Sequence, residues 1–308
     1  MRETARITAG DLAAEIVPSL GGGLARFDLI RNGSAAPLFR PWPDAGTDEP
    51  VRLACFPLVP WSNRISGGGF HYGGRFPPLA ANFASDPFPI HGNGWTSPWT
   101  VTAKSASRVV LELLSEGPGP YRYRGALDYA LDPRGLSMRL AVTNRAEMAL
   151  PFGLGFHPWL PRTRGTWLRA PAATVWLEDS RYLPTGSAPV TVREDWDFSL
   201  PQMLPPSWVN NAFTGWNGRA TIEWHDRGLA LDVEASEGLN TYLLYSPNRE
   251  ADFFCFEPIS HLVDAHNLPG GPAANGLVVL APGEELSVSS RFSPHESFED
   301  DRQSRLSP

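Results

Sequence analysis

Apolar and polar residues alternate along several stretches of the chain: WTVTAKSASRVVLELLS (99–115), YRYRGALDYALD (121–132), LSMRLAVTN (136–144), ATIEWHDRGLALDVEA (220–235) and LVVLAPGEELSVSSRF (277–292). A period of two belongs to strands with one buried face, and Gly, Pro, Asn or Asp bounds each run. Helical periodicity is scarce. DPRG (132–135) and APGEE (281–285) read as hairpin turns, with Pro and Gly supplying the special dihedrals. The longest irregular stretches are RPWPDAGTDEP (40–50) and LPPSWVNNAFTGWNG (204–218). No repeat of fixed period and no linker divides the chain. The pattern predicts an all-β protein, one large antiparallel β-sandwich over residues 1–292. The polar segment 293–308 reads as a disordered tail or a loose surface strap.

Composition agrees with this reading. The charged fraction of 19% lies below the usual quarter, while Gly (29) and Pro (31) are plentiful, as suits a turn-rich β protein among 308 residues. A formal net charge of -7 offers no basic face for a phosphate backbone, so nucleic acid is not an expected partner. Lys104 is the single lysine, and it lies at an outward-type position of a strand-like run, which argues against Schiff-base chemistry. Cys55 and Cys255 lie in apolar runs far apart and form neither a disulfide framework nor a metal knuckle, so both are expected as buried thiols. The first residues lack an apolar signal core and no run reaches membrane-spanning length; the expected location is cytoplasmic.

Several segments carry candidate chemistry. FFCFEPIS (253–260) sets Glu257 inside an apolar run, where an unpaired carboxylate costs several kcal/mol, on the order of the transfer penalty for a buried charge. His91 lies in PIHGNGW, and His157 in LPFGLGFHPWLP, where the neighbouring glycines permit close backbone approach to a ligand. Each histidine taken alone is more often structural than catalytic. In FPLVPWSNRISGGGF, Asn63 and Arg64 follow a Pro-Trp corner and can donate several hydrogen bonds; the bland role for Arg64 is pairing with a carboxylate at a loop end. Trp61, Trp95, Trp99, Trp159, Phe213 and Trp216 lie near these polar loops, as core residues or as the flat faces that hold a sugar ring. A GxSxG elbow, a P-loop and a dinucleotide fingerprint are absent. His261 and His266, five residues apart, would point to opposite faces of a strand, so a shared metal is not expected. Glu257 with Asp264 or Asp179 leaves open a glycosidase-type carboxylate pair.

Six motifs in order, VPWSNRISGGGF, PIHGNGW, GFHPW, NNAFTGW, CFEP and LAPGEEL, resemble the aldose 1-epimerase (galactose mutarotase-like) family from about Ala14 to Phe292. The resemblance implies a large β-supersandwich with a sugar cleft on one broad face. It also implies an enzyme without cofactor or metal that interconverts the α and β anomers of an aldose. Carried over by motif, Glu257 takes the place of the general base and His157 that of the general acid. His91 matches the histidine that binds sugar near the ring oxygen, and Arg64 the arginine that contacts hydroxyls. Where many relatives carry an aspartate, this chain has Asn210, which loses the charge-assisted strength of a carboxylate. The loop after His91 lacks Arg and Lys, which favours a free sugar over a sugar phosphate. The alternatives are a non-catalytic carbohydrate sensor on the same fold, an epimerase for a sugar phosphate, and a glycosidase or lyase.

Overall fold

The computed structural model describes residues 3–43 and 49–297. Two large antiparallel sheets dominate it. One has nine strands in the spatial order Gln202–Met203, Thr166–Arg169, Arg219–Trp224, Leu229–Ala235, Glu285–Glu296, Gly135–Asn144, Tyr123–Asp132, Arg108–Ser115, Thr100–Lys104. The other runs Pro184–Pro189, Thr174–Glu178, Val209–Thr214, Thr241–Ser246, Phe253–Ile259, Gly155–Phe156, Pro57–Leu58, and Trp159–Pro161 also pairs with Phe253–Ile259. A four-stranded sheet built from Ala5–Pro37 and a small pair, Leu150–Phe152 with Val278–Leu280, complete the architecture. The expected β-sandwich is therefore what the chain forms. Among the described residues no helix is long and apolar enough to cross a membrane.

Alternation along the strands of the eight-stranded sheet decides where the site lies. In Phe253–Ile259, Phe254 and Phe256 are buried in the main core, while Cys255 and Ile259 belong to a second apolar cluster on the opposite face. Glu257 shares that second face because it has the same parity. In the neighbouring strand Tyr242 and Leu244 enter the main core, and Leu243 and Tyr245 join the second cluster. The register sets Leu243 opposite Glu257 and Tyr245 opposite Cys255. Burying Phe254 and Phe256 contributes about 1.5–3 kcal/mol each, and this anchors the strand that carries the carboxyl group. Both faces are covered, so the segment reads as a continuous apolar run.

Several sequence expectations need correction. DPRG is a hairpin turn, with Asp132 paired to Gly135. APGEE is not: the strand before it pairs with Leu150–Phe152, and the strand after it lies between Gly135–Asn144 and Leu229–Ala235. The Ala281–Glu284 turn hands the chain from one sheet to another. The stretch 204–218, expected to be irregular, contains the central strand Val209–Thr214. The last strand runs to Glu296, so Ser293–Glu296 are ladder residues and not tail; 298–308 lie outside the described residues, as do 44–48 of the other irregular stretch. His261 and His266 follow the end of a strand and are not on one; their rings lie 6.5 Å apart, centroid to centroid. Each has its own partner: His261 Nε2 accepts the Ser62 N–H at 2.9 Å, and His266 Nε2 lies 3.0 Å from the Tyr121 hydroxyl.

The glycines before His157 make room for protein, not for a ligand. A Cβ on Gly153 would lie 2.0 Å from the His261 ring, and one on Gly155 would lie 2.8 Å from the Ile259 side chain. Replacing Gly153 by Ala must displace the ring that accepts the Ser62 amide. A loss of about 1–3 kcal/mol is expected from overpacking, read as a lower denaturation midpoint in urea. An unchanged midpoint would mean that the His261 ring moves aside freely.

Candidate functional site

A cavity of about 260 Å³ opens on the second face of the eight-stranded sheet. Asn63, Arg64, His91, His157, Trp159, Asn210 and Glu257, each expected at the site, all line it. They arrive from five separate parts of the sequence. Glu257 comes from the middle of its strand, Asn210 from a strand two places along, and His157 from the short turn between Gly155–Phe156 and Trp159–Pro161. Asn63 and Arg64 follow the Pro57–Leu58 strand. His91 lies in the loop bridged to them through Arg64 and Ile90.

At the floor, His157 Nε2 lies 3.2 Å from Glu257 Oε1, and both side chains are almost wholly buried. The imidazole is sandwiched between Phe56 and Trp159, with ring centroids at 4.4 and 5.4 Å and near-parallel planes. Burial, with the positive charge of Arg40 adding to it, pulls His157 down to about 3. Burial likewise pushes Glu257 well above the usual carboxylate range, against the pull of Arg64. Both groups are thus driven toward their neutral forms, while attraction across the 3.2 Å contact favours the ion pair. Either arrangement holds one proton on the pair. Glu257 Oε2 is buried and has no protein hydrogen-bond partner.

The two bridged segments that carry Asn63 and His91 hold both residues in the left-handed region, at φ of 58° and 60°. Such positions cost on the order of 1–3 kcal/mol each and persist only where neighbours over-determine them. Here the two residues clasp each other. The His91 N–H donates to the Asn63 carbonyl at 3.0 Å, and the Asn63 N–H donates to His91 Nδ1 at 3.0 Å. An accepting Nδ1 fixes the neutral tautomer with its proton on Nε2. Burial and the nearby His157 hold His91 well below the ordinary histidine range, so it is a neutral N–H donor and not a cation.

Arg64 is braced on both sides. Its Nε and a terminal nitrogen donate to Asp86 Oδ2 at 2.8 and 2.7 Å, and the other terminal nitrogen donates to Asn63 Oδ1 at 3.2 Å. Its guanidinium also lies 4.9 Å from the centre of the Tyr182 ring. The modest role considered for Arg64, pairing with a loop carboxylate, is therefore realised together with a place in the cavity. Because Asn63 Oδ1 accepts from Arg64 twice, Asn63 keeps its Nδ2 donors for a ligand.

Of the aromatic residues noted in the sequence, Trp95 and Trp159 line the cavity, whereas Trp61, Trp99, Phe213 and Trp216 belong to the main core. Phe56, Phe83, Tyr182, Trp208 and Tyr245 line it without having been singled out. The strand period identifies Tyr245, two residues from Leu243 on the face of Glu257. Asp264 and Asp179 are not cavity residues: Asp264 accepts from the Ser66 amide and hydroxyl, and Asp179 caps its own turn and pairs with Arg181. Glu257 is the carboxylate among the described lining residues. His157, Cys255 and Glu257 are the described residues whose ligand atoms, all within 4.8 Å of one another, could hold a cation. Both cysteines are buried and free, and burial pushes the Cys255 thiol well up.

The sequence profile described as aldose 1-epimerase matches residues 3–293. The chain belongs to the aldose 1-epimerase family. It is 37% identical to the uncharacterised protein YphB of Escherichia coli K12 over 257 residues, covering 82% of this chain and 86% of that one. A candidate aldose 1-epimerase from Escherichia coli K12 superposes with a TM-score of 0.87 at 32% identity, over 96% of this chain and 99% of that one. A galactose mutarotase-like protein from Clostridium acetobutylicum shares the fold at a TM-score of 0.79 and 21% identity, with 94% of each chain covered.

The brace on Arg64 predicts a measurable consequence. Asp86→Asn removes a charge-assisted acceptor that is largely buried and should destabilise the fold by about 1.5–3 kcal/mol. Chemical denaturation tests the loss. Stability equal to wild type would show that Arg64 is held by Asn63 and Tyr182 alone.

Proposed function

We infer that the protein is a mutarotase, interconverting the α and β anomers of a free aldose by ring opening and closure. The observation that carries this reading is the His157–Glu257 contact at 3.2 Å on the floor of a cavity lined by aromatic faces and hydrogen-bond donors. Opening the ring requires one proton to leave the C1 hydroxyl and one to reach the ring oxygen. A pair of groups that together hold one proton supplies both needs, and closure on the other carbonyl face returns the proton to its origin. In the assigned roles the ion-paired form reacts: ionised Glu257 takes the C1 proton while protonated His157 gives its proton to the ring oxygen, which leaves the pair with one proton, now on Glu257. The unpartnered Glu257 Oε2 offers a place for a ligand hydroxyl. His91 Nε2–H, Asn63 Nδ2 and Arg64 would bind the remaining oxygens, and Trp159 would present an apolar face to the ring.

Three features support a free sugar over the alternatives. Arg64 is the one cation among the described lining residues, and its charge is already matched by Asp86, which leaves no spare positive group for a phosphate dianion. Glu257 is the single carboxylate among the described residues that line the cavity, whereas a glycosidase needs two flanking the scissile bond. A binding sensor would have no use for the acid–base pair.

Anomer exchange by NMR on a panel of aldoses and their 6-phosphates tests the assignment. Glu257→Gln and His157→Asn should each lose about 10²–10⁴-fold in exchange rate, and dialysis against a chelator should leave the wild type unchanged. Full activity in either variant would remove that residue from the mechanism.

The pH profile gives an independent check. A second proton must enter a pair in which His157 is already pulled down to about 3, so the acid limb should lie well below the ordinary histidine range. Loss of the last proton from Glu257, which burial pushes well up, moves the basic limb upward. The expected kcat/KM profile shows no histidine inflection near pH ~6.5, where an isolated imidazole titrates. An inflection there would mean that the pair does not act as one unit.

A further inference from the structure

Asn210 does not stand alone on the cavity wall. Its Nδ2 donates to Glu178 Oε2 at 2.9 Å, and the indole N–H of Trp208 donates to Glu178 Oε1 at 3.1 Å. Each carboxylate oxygen thus receives one donor from a cavity-lining side chain. Glu178 itself does not line the main cavity; it lines a small hollow beside it, together with Asn210 and Tyr182. The register brings these groups together. Glu178 ends the strand Thr174–Glu178, which pairs with Val209–Thr214, the strand that carries Asn210 and follows Trp208. Trp208 in turn stacks on Tyr182 at 5.6 Å and meets Tyr245 edge-on at 5.2 Å, so the carboxylate supports a continuous piece of wall.

An asparagine amide is a donor at one end and an acceptor at the other, and its neighbours decide which end a ligand meets. A carboxylate partner can only accept. It holds Nδ2 and leaves Oδ1 available to the cavity. We propose that Glu178 is a positioning residue that fixes Asn210 as a hydrogen-bond acceptor for a sugar hydroxyl, giving the site a requirement for a hydroxyl donor on the Asn210 side. This proposal rests on the reading of the cavity as a sugar site. The opposite wall has the reverse polarity. Asn63 Oδ1 is held by Arg64, so its Nδ2 faces the ligand, and His91 presents Nε2–H. The site therefore offers donors on one side and an acceptor on the other. The carboxylate that strengthens the acceptor stands behind it on the neighbouring strand, bonded to its Nδ2.

Exchanging the two side-chain types tests the idea. Glu178→Gln turns its amide nitrogen toward Asn210 and invites the Asn210 amide to reverse, so KM for the sugar should rise about 10-fold, one lost hydrogen bond's worth, with kcat changed less than about threefold. Asn210→Asp sets two carboxylates against each other and should raise KM at least as much. In the double variant Glu178→Gln/Asn210→Asp, the Gln amide donates to Asp and its carbonyl accepts from Trp208, so KM should return to within about threefold of wild type. A wild-type KM in Glu178→Gln, a fall in kcat alone, or a double variant no better than the singles overturns the proposal. Wild-type protein that exchanges no sugar would instead overturn the mutarotase reading. In that case the isotope-labelled Asn210 side-chain amide decides the matter without a ligand. Its resonances should shift with a carboxyl titration that burial raises above the usual carboxylate range in wild type, and not in Glu178→Gln. A flat response in wild type overturns the clamp.

Discussion

A carboxyl group placed mid-strand, with both faces of its sheet buried, is the constraint on which the rest of the site depends. Phe254 and Phe256 lock the strand into the main core, and the same alternation forces Glu257 onto the opposite face with Cys255 and Ile259. No arginine or lysine among the described residues is in hydrogen-bond contact with it. Its neighbour is a histidine packed against two aromatic rings, and burial drives both groups toward their neutral forms. The aromatic packing that looks like ordinary core therefore has a chemical consequence: it removes water from both groups at once and ties their titrations together.

The walls follow a different principle. Asn63, His91 and Asn210 are each ambiguous in hydrogen-bonding sense, and each has a fixed partner that removes the ambiguity. Arg64 occupies the Asn63 carbonyl, the Asn63 amide occupies His91 Nδ1, and Glu178 occupies the Asn210 nitrogen. The backbone strain at Asn63 and His91 belongs to the same arrangement, since their mutual hydrogen bonds need both residues in the left-handed region. Polarity is set before a ligand arrives, which lowers the ordering cost of binding.

Much of this was legible in the sequence. Period-two runs marked seven strands of the nine-stranded sheet, all but Thr166–Arg169 and Gln202–Met203, because in most of them one face meets solvent and the alternation stays visible. The eight-stranded sheet was harder to read. Val209–Thr214 is a central strand whose core-facing residues Val209 and Phe213 are separated by two asparagines and an alanine, so VNNAFT resembles a loop. The APGEE turn has hairpin chemistry but joins strands of different sheets, a difference that local sequence does not encode. Motif order located Glu257, His157, His91, Arg64, Asn63, Asn210 and Trp159, all of which the fold gathers around one cavity. Glu178 carried no such signal. Its place is set by strand register across an interval of 32 residues, and neither spacing nor composition shows that a carboxylate stands behind Asn210.

Charge placement gives these separate features a common logic. An aldose is neutral, and ring opening moves protons without changing the total charge of site and substrate. A cleft suited to that reaction gains little from a strong net field; it needs charges whose effects are local. Arg64 is matched by Asp86, and Glu178 is engaged by the Trp208 and Asn210 donors. Asp86 offsets the charge of Arg64, whose pull on Glu257 nonetheless persists, and Arg64 and Glu178 each polarise the amide they touch. What remains at the floor is a pair with a single proton, able to hold it on either member. In a low-dielectric pocket, an unmatched charge nearby would bias that choice by several kcal/mol, on the order of the interaction between charges near a protein surface. Matching Arg64 with Asp86 reduces that bias, so the ligand's own hydroxyls have a larger share in deciding where the proton sits.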